Sequence, residues 1–378
     1  MGSTPPIAIV GASLAGLTLA LACASRGVPV HVFERAARRV RGGDSLSVDL
    51  AALARTVGHD PRGQPGLPAV PAYRDRYLST WPALYAWLRD RVAETPDIVM
   101  LEGRKLATVT DGADHATLHF SDGSQALARA VIGADGYHST VRRALAPDQA
   151  LARYAGYLVW RGLVDERVLN QPVSWPSAGG LWIDFVHGHR LVAAVLPGRD
   201  GSLIPGQRQV TFAWFDVNQA ALLRRHGCLT PEGYIVGTLG RDVIEADTRA
   251  ALTALVPQLW PQHWVEAVTV GLNTREVLSG APIAEYQPES LAKGRLAIVG
   301  DAAHVVTPMT GSGFATSMDD AAVLAGLLAA QPHAVSVPTA LAQYQAARMP
   351  DVRALVGHSM KLSAEFVRYA VAQRPPAA

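Results

Sequence analysis

Apolar positions in the first third of the chain come in short unbroken runs. Residues 6–10 and 28–33 are runs rich in β-branched side chains, and residues 17–24 between them are rich in Ala and Leu. Two continuous apolar strands around a helical stretch predict a βαβ unit whose strands are buried on both faces. The second run ends at Glu34. Residues 41–75 are rich in Gly, Pro and Arg, which predicts loops with one helix over 50–57. Leu84, Trp87, Leu88 and Val92 recur at helical spacing and predict a helix over 84–92.

From Ile98 the period changes to two. Stretches 106–109 and 116–120 flank Asp111-Gly112, and Ser121-Asp122-Gly123 makes a second turn, so a β-meander is predicted. Residues 130–132 form another buried strand, followed by Gly133-Ala134-Asp135-Gly136. Residues 155–275 differ in texture. Strand-like stretches at 157–163, 180–186, 190–196 and 209–215 are separated by turns, and five of the eight tryptophans lie between Trp160 and Trp260. This predicts a largely antiparallel sheet with an aromatic-lined face. Residues 291–299 return to a buried strand and 313–330 to a long helix, so the chain leaves the first lobe and comes back to it.

Three motifs carry chemistry. Gly11-Ala12-Ser13-Leu14-Ala15-Gly16 is a GxSxxG form of the dinucleotide turn. Its first glycine permits a tight turn, its last lets helix and strand pack closely, and the helix start offers unpaired N–H groups to a pyrophosphate. Ser13 crowds the middle position but brings a hydroxyl. Glu34, ending the second strand, can accept from ribose hydroxyls. The dinucleotide could be NAD or FAD on this motif alone. The second motif runs from Gly133 to Arg142; read alone, Asp135-Gly136 is a turn and Ser139 a helix cap. The third is Gly294-Arg295-Leu296-Ala297-Ile298-Val299-Gly300-Asp301-Ala302-Ala303-His304, followed by Pro308, Gly311-Ser312-Gly313 and a helix. A carboxylate at a strand end can hold a sugar-alcohol hydroxyl, and backbone N–H groups at a helix start can face a developing anion.

In this order and spacing the three motifs resemble those of the single-component (group A) flavoprotein aromatic hydroxylases, over nearly the whole chain. The stretch from Tyr154 to Gly162, with Leu196-Pro197-Gly198-Arg199 and Phe212-Ala213-Trp214-Phe215, is similar to the 2,6-dihydroxypyridine 3-monooxygenase branch, with urate hydroxylases as nearby relatives. The resemblance implies an α/β fold, a Rossmann-like FAD-binding lobe with an inserted, mainly antiparallel β-sheet substrate lobe. The expected divisions are 1–154 for the first part of the FAD lobe, 155–290 for the sheet lobe, and 291–378 for the rest of the FAD lobe with C-terminal helices.

The same resemblance implies the cofactor contacts. Gly11, Ser13, Leu14, Ala15, Gly16, Glu34 and Arg35 would meet the ADP part of FAD. Asp135 would serve the pyrophosphate region and nicotinamide use, and Asp301 would hold the ribityl chain. Pro308, Gly311, Ser312 and Gly313 would run along the flavin, with Gly43 and Leu106 also against the cofactor. Trp182, Trp214 and Met309 are candidate pocket walls, the two tryptophans being equally readable as core. The implied reaction takes NADH or NADPH and O2, and an electron-rich hydroxylated ring, phenolic or N-heterocyclic, attacks a flavin C4a-hydroperoxide. Its base is not identified by any motif.

Three positions depart from the family pattern. Gly42-Gly43-Asp44 stands for the usual GxG loop, Ser312 for a common Gln, and Trp81 for a common Arg, the last as in the dihydroxypyridine branch. Only one βαβ fingerprint is present, so the nicotinamide is expected to lack a Rossmann cleft of its own. It would meet an outward-swinging flavin beside the loop 41–47.

Composition narrows the alternatives. Of 378 residues, 49% are hydrophobic and 17% charged, with a formal charge of +2, which reads as a compact globular chain. Arg35, Arg38, Arg39 and Arg41 form too short a cluster for a nucleic-acid surface. Cys23 and Cys228 make neither a disulfide framework nor a metal site, and a reducing cytoplasm is expected. The uncharged run 7–25 is punctuated as strand, turn and helix rather than as a membrane span. It has no basic leader, and Pro6 stands where a myristoylation signal wants Ser or Thr. His304 is expected beside the cofactor in a structural role, His138 near phosphate, and His187 and His189 at a hairpin. No paired carboxylates or Ser-His-Asp set support a hydrolase. The expected partners are a small aromatic substrate and O2, with a homodimer left open. Two rival readings remain: a flavin oxidase or dehydrogenase, and a non-catalytic protein on the same fold.

Overall fold

The computed structural model describes residues 5–36, 45–217, 219–330 and 336–373. The βαβ unit is β1 (Ile7–Val10), α1 (Leu14–Ala24) and β2 (Val30–Phe33), followed by β3 (Ser45–Val48), α2 (Leu50–Val57), β4 (Val70–Pro71), β5 (Tyr77–Thr80), α3 (Trp81–Ala93) and β6 (Ile98–Leu101). The meander β7 (Leu106–Asp111), β8 (Ala116–Phe120) and β9 (Gln125–Ala128) leads into β10 (Ala130–Gly133) and α4 (Thr140–Leu145). The second lobe contains β11 (Arg153–Asp165), β12 (Trp182–Val186), β13 (His189–Leu196), β14 (Gln209–Val217), α5 (Ala220–Arg225), α6 (Ala246–Leu259), α7 (Gln262–Asn273) and β15 (Ser279–Glu285). The chain returns through β16 (Ala292–Lys293), β17 (Leu296–Ile298) and α8 (Gly313–Ala329), and closes with α9 (Val337–Ala372).

The strands of the first lobe line up as β16-β17-β10-β1-β2-β6, parallel except for β16. β1 and β10 are buried along their whole length, as strands covered on both faces must be. The fold is α/β with a Rossmann-like lobe, as expected. Three expectations need correction. The strand at Ile98 is not the first of the meander but the edge of this parallel sheet. The run 291–299 is not one strand, because Gly294 at φ +54° turns it into a two-strand hairpin. The second lobe also holds α6 and α7, which the strand-rich texture did not predict.

That lobe is a five-stranded antiparallel sheet in the order β12-β13-β14-β11-β15. Side chains alternate between its faces. Leu158, Trp160, Leu191, Phe212 and Trp214 pack with Trp260 and Trp264 under α6 and α7. Tyr157, Val159, Val192, Phe215 and Ile283 face the other way, against Phe366 and Ala370 of α9. The same α9 donates the Tyr344 hydroxyl to the Ile298 carbonyl at 3.0 Å, so one helix braces both lobes. In the sheet lobe, buried Arg208 grips Glu166 bidentately, at 2.7 Å through both Nε and Nη2, and also donates to the Val173 carbonyl. Among the described residues no helix is long and apolar enough to cross a membrane.

Candidate active site

The carboxyl ends of the parallel strands are where an open α/β sheet binds its ligand. At that edge all three motifs meet. Gly11, at φ +102°, passes so close to the second motif that a Cβ there would lie 2.5 Å from the Ala134 carbonyl oxygen. A Cβ on Gly16 would lie 1.9 Å from the Gly11 oxygen, so the last glycine is what lets α1 dock. Gly300, at φ +59°, brings the third motif against Ala15, where an added Cβ would meet Ala15 Cβ at 2.7 Å.

Two helices begin at this edge without side-chain caps. Ser13 precedes α1 and Ser312 precedes α8, and neither hydroxyl accepts from its helix. Their first-turn N–H groups, including those of Leu14 and Ala15, are therefore available to an anion. Ser312 Oγ instead donates to the Thr310 carbonyl at 3.0 Å, and Gly311 turns left-handed at φ +60° ahead of Gly313.

Glu34 is 3% exposed and already accepts two backbone bonds, from Ala12 N–H at 2.9 Å and Ala36 N–H at 3.0 Å. It thus shapes the glycine turn from beneath, and a carboxylate with further lone pairs can still accept from a ribose hydroxyl. Arg35 is exposed next to it, and its charge reaches His138, one of the cations that, with burial, hold that imidazole below its ordinary pKa. Asp301 is exposed, and among the described residues its carboxylate accepts no hydrogen bond and forms no ion pair.

Asp135 lies differently. Its carboxylate accepts from Ser139 Oγ and, at 2.7 Å, from Thr140 N–H, while Ser139 Oγ accepts from Arg142 N–H at 2.9 Å. Side chains of the second motif therefore cap α4; what this motif presents to the site is its backbone beside Gly11. Burial raises the Asp135 pKa despite these bonds. Leu106 is buried in the first-lobe core. Gly43 and most of the loop 41–47 lie outside the described residues, as do Arg38, Arg39 and Asp44.

Sequence reasoning missed two supports. Arg142, fully buried, donates to the carbonyls of Ala150, Ala302 and Tyr137 and lies 4.2 Å over the Tyr286 ring. It joins the second motif to the third. Asp320 of α8, also fully buried, accepts from Gly300 N–H at 3.1 Å, binds His304 Nε2 at 2.7 Å and accepts Arg348 Nε at 3.0 Å. Burial alone would lower the His304 pKa, but the Asp320 carboxylate overrides it and raises it. Burial likewise opposes the Asp320 charge, and the His304 and Arg348 cations hold its pKa low. His304 therefore sits in a structural ion cluster behind the Gly300-Asp301 turn.

The candidate pocket residues separate. Trp182 pairs with Ala193 and Ala193 with Phe212, which puts Trp182 on the Trp214 face of the sheet. Trp182 packs on Trp260 and Trp264, and Trp214 on Trp260 and His189. Both belong to the core under α6 and α7. Met309 packs on the opposite face, with Phe215 and Phe366. There it lines a cleft of about 310 Å³ with Phe185, Leu362, Glu365, Phe366 and Tyr369. His187 and Gly188, both left-handed, form the two-residue turn between β12 and β13. Among the described residues, no group of three His, Cys, Asp or Glu side chains is placed to hold a metal.

The family described as FAD binding domain matches residues 82–359, and the one described as NAD(P)-binding Rossmann-like domain matches residues 9–62. The 3-amino-4-hydroxybenzoate 2-monooxygenase of Streptomyces cremeus is 31% identical, over 95% of this chain and 87% of its own length. The 2,6-dihydroxypyridine 3-monooxygenase of Paenarthrobacter nicotinovorans is 28% identical, over 85% of this chain and 82% of its own. Among solved structures, 2,6-dihydroxypyridine-3-hydroxylase from Arthrobacter nicotinovorans shares the fold at a TM-score of 0.76 and 21% identity, covering 97% of this chain and 93% of that one.

Proposed function

The chain belongs to the FAD-binding-domain family, the single-component flavin hydroxylases, and on that premise we propose that it hydroxylates an electron-rich aromatic ring using O2 and NADH or NADPH. FAD is its cofactor. The ring proposed is a phenol or a hydroxylated N-heterocycle, in keeping with relatives named for aminohydroxybenzoate and dihydroxypyridine.

One observation carries this reading. The sheet edge gathers the glycine turn, Glu34, the open Asp301 carboxylate and two uncapped helix starts, and the segment from Asp301 to the start of α8 also carries Met309, which lines the apolar cleft. The donor set fits FAD: N–H groups of α1 for the pyrophosphate, Glu34 for the ribose, Asp301 for the ribityl hydroxyls, and the start of α8 for the flavin's anionic edge. Bound FAD supplies reduction by the nicotinamide and activation of O2.

The protein's own work is placement. Asp320 and Arg142 fix the turn that presents Asp301. Met309, Phe185 and Phe366 line an apolar cleft that would orient a ring and keep water from it. The described residues contain a single parallel sheet with one glycine fingerprint, and FAD takes it. The nicotinamide is therefore left to bind transiently at the surface.

The test is a screen of the FAD-loaded protein. NADH and NADPH consumption is followed with phenols, hydroxypyridines, indoles and purines, and products are identified by mass. Consumption stimulated by an aromatic compound, with one oxygen gained by that compound, is expected. Stimulation by amines or alcohols, with their oxidation and no oxygen gain, would establish the oxidase or dehydrogenase reading instead.

A further inference from the structure

Tyr157 of β11 is fully buried between the sheet and α9, and its hydroxyl meets two segments that are far apart in sequence. It lies 2.6 Å from Thr307 Oγ1, two residues before Met309, and 3.1 Å from Ser363 Oγ, between Leu362 and Phe366 of α9. Met309 lines the cleft from the turn Pro308–Thr310, and Leu362 and Phe366 line it from α9. One oxygen atom therefore holds both walls. The Tyr157 ring adds an edge-on contact with Phe366 at 5.0 Å.

The direction of each bond follows from counting protons, since a hydroxyl has one to donate. Ser363 Oγ donates to Glu285 Oε1 at 2.7 Å, and Ser359 Oγ donates to the same oxygen at 3.2 Å. Ser363 must therefore accept from Tyr157. Tyr157, its proton used, must accept from Thr307 Oγ1. Thr307 Oγ1 in turn accepts from Met309 N–H at 3.3 Å, and Ser359 Oγ accepts from Thr307 N–H at 2.8 Å. The hydroxyls form one directed set that ends on a single carboxylate oxygen. Thr307, Ser359 and Ser363 are buried, so bulk water offers them no substitute partner. Burial pushes the Tyr157 pKa up to about 12, so its hydroxyl keeps the proton that the set requires. Among the described residues, the remaining side-chain hydrogen bonds of the turn run within residues 307–312 and tie it to nothing outside itself. The turn then passes through Gly311 into the uncapped start of α8.

We infer that Tyr157 is a positioning residue. Its hydroxyl, anchored through Ser363 on Glu285, sets the spacing between the Met309 turn and α9, and with it the presentation of a ring in the cleft and of the α8 start to the flavin. A misplacement of about 1 Å is enough to slow a reaction about a hundredfold. That the cleft takes the ring to be hydroxylated rests on the hydroxylase reading; the tie between turn and helix does not.

The test compares the FAD-loaded full chain with its Tyr157→Phe, Ser363→Ala and Glu285→Gln variants. Visible circular dichroism of the bound FAD reads flavin placement without turnover. The yield of hydroxylated product per NADH or NADPH, against hydrogen peroxide, reads ring placement, with each member of the phenol, hydroxypyridine, indole and purine panel as probe. Tyr157→Phe and Ser363→Ala should still load with FAD but alter its dichroism. They should lower the product yield about fivefold or more, with KM changed by less than about threefold. Glu285→Gln keeps an acceptor oxygen for both serines and should stay close to wild type in both readouts. Unchanged dichroism and yield in Tyr157→Phe and Ser363→Ala, with only a lower melting temperature, would make the tie a matter of stability and overturn the inference. So would a loss of product in Glu285→Gln as large as in Tyr157→Phe, since charge rather than position would then matter. Should Tyr157→Phe not fold, Ser363→Ala and Glu285→Gln decide by the same readouts. If the wild type hydroxylates no member of the panel, the hydroxylase reading falls, and the dichroism alone decides the positioning role.

Discussion

Arg142 donates to the Ala302 carbonyl at 3.0 Å across 160 residues of sequence. The helix that ends the second motif is thereby fastened to the turn that presents Asp301. Because Arg142 also holds the Ala150 carbonyl at 3.0 Å, replacing it strands one buried and one part-buried acceptor. Each costs about 1–3 kcal/mol. Arg142→Met should lower the urea midpoint of the apoprotein and weaken FAD binding together; an unchanged midpoint would contradict the clamp.

Asp301 has the opposite profile. Its carboxylate is exposed and makes no bond within the described chain. Asp301→Ala should leave apoprotein unfolding unchanged while FAD affinity, measured by fluorescence quenching, falls by the roughly 1.5–3 kcal/mol of a charge-assisted hydrogen bond. Equal affinity would remove Asp301 from the site.

Glu34 lies between these two. It holds Ala12 and Ala36 N–H groups in the apoprotein. Glu34→Ala should therefore cost apoprotein stability, about 1–3 kcal/mol for stranded buried donors, as well as FAD affinity. Loss of affinity with no loss of stability would show that the turn holds its shape unaided.

The His304–Asp320 pair sets a pH window. The His304 pKa is raised in the fold, so its contribution is complete below the ordinary imidazole value and is lost as pH rises through the raised one. The Asp320 pKa is lowered, so its contribution is present above the ordinary carboxylate value and is lost as pH falls through the lowered one. In thermal melts from about pH 5 to 9, the stability gap between wild type and His304→Gln should narrow towards alkaline pH. A gap independent of pH would show that His304 is not charged in the fold.

Local pattern revealed what local physics decides. The helix Leu50–Val57 was legible to the residue because Asp49 caps its start and Gly58 ends it left-handed. The strand Ile98–Leu101 reads in sequence like part of the meander because an edge strand of a parallel sheet is only half covered, and its partial burial imitates antiparallel alternation. Trp182 and Trp214 could not be assigned a face. Their sheet is covered on both sides, and β14 is buried at eight of its nine residues, so a period of two carries no inside or outside. Arg142 and Asp320 are silent in the sequence for another reason: their meaning lies in partners from distant segments, which no spacing encodes.

The account centres on oxygen transfer to an aromatic ring. The most direct measurement is turnover of the FAD-loaded protein under 18O2, with NADH or NADPH and an aromatic compound that stimulates its consumption. One 18O atom should appear in the aromatic product. Consumption of the nicotinamide with hydrogen peroxide as the sole oxygen product, and no label in any ring across the phenol, benzoate and hydroxypyridine panel, would contradict it.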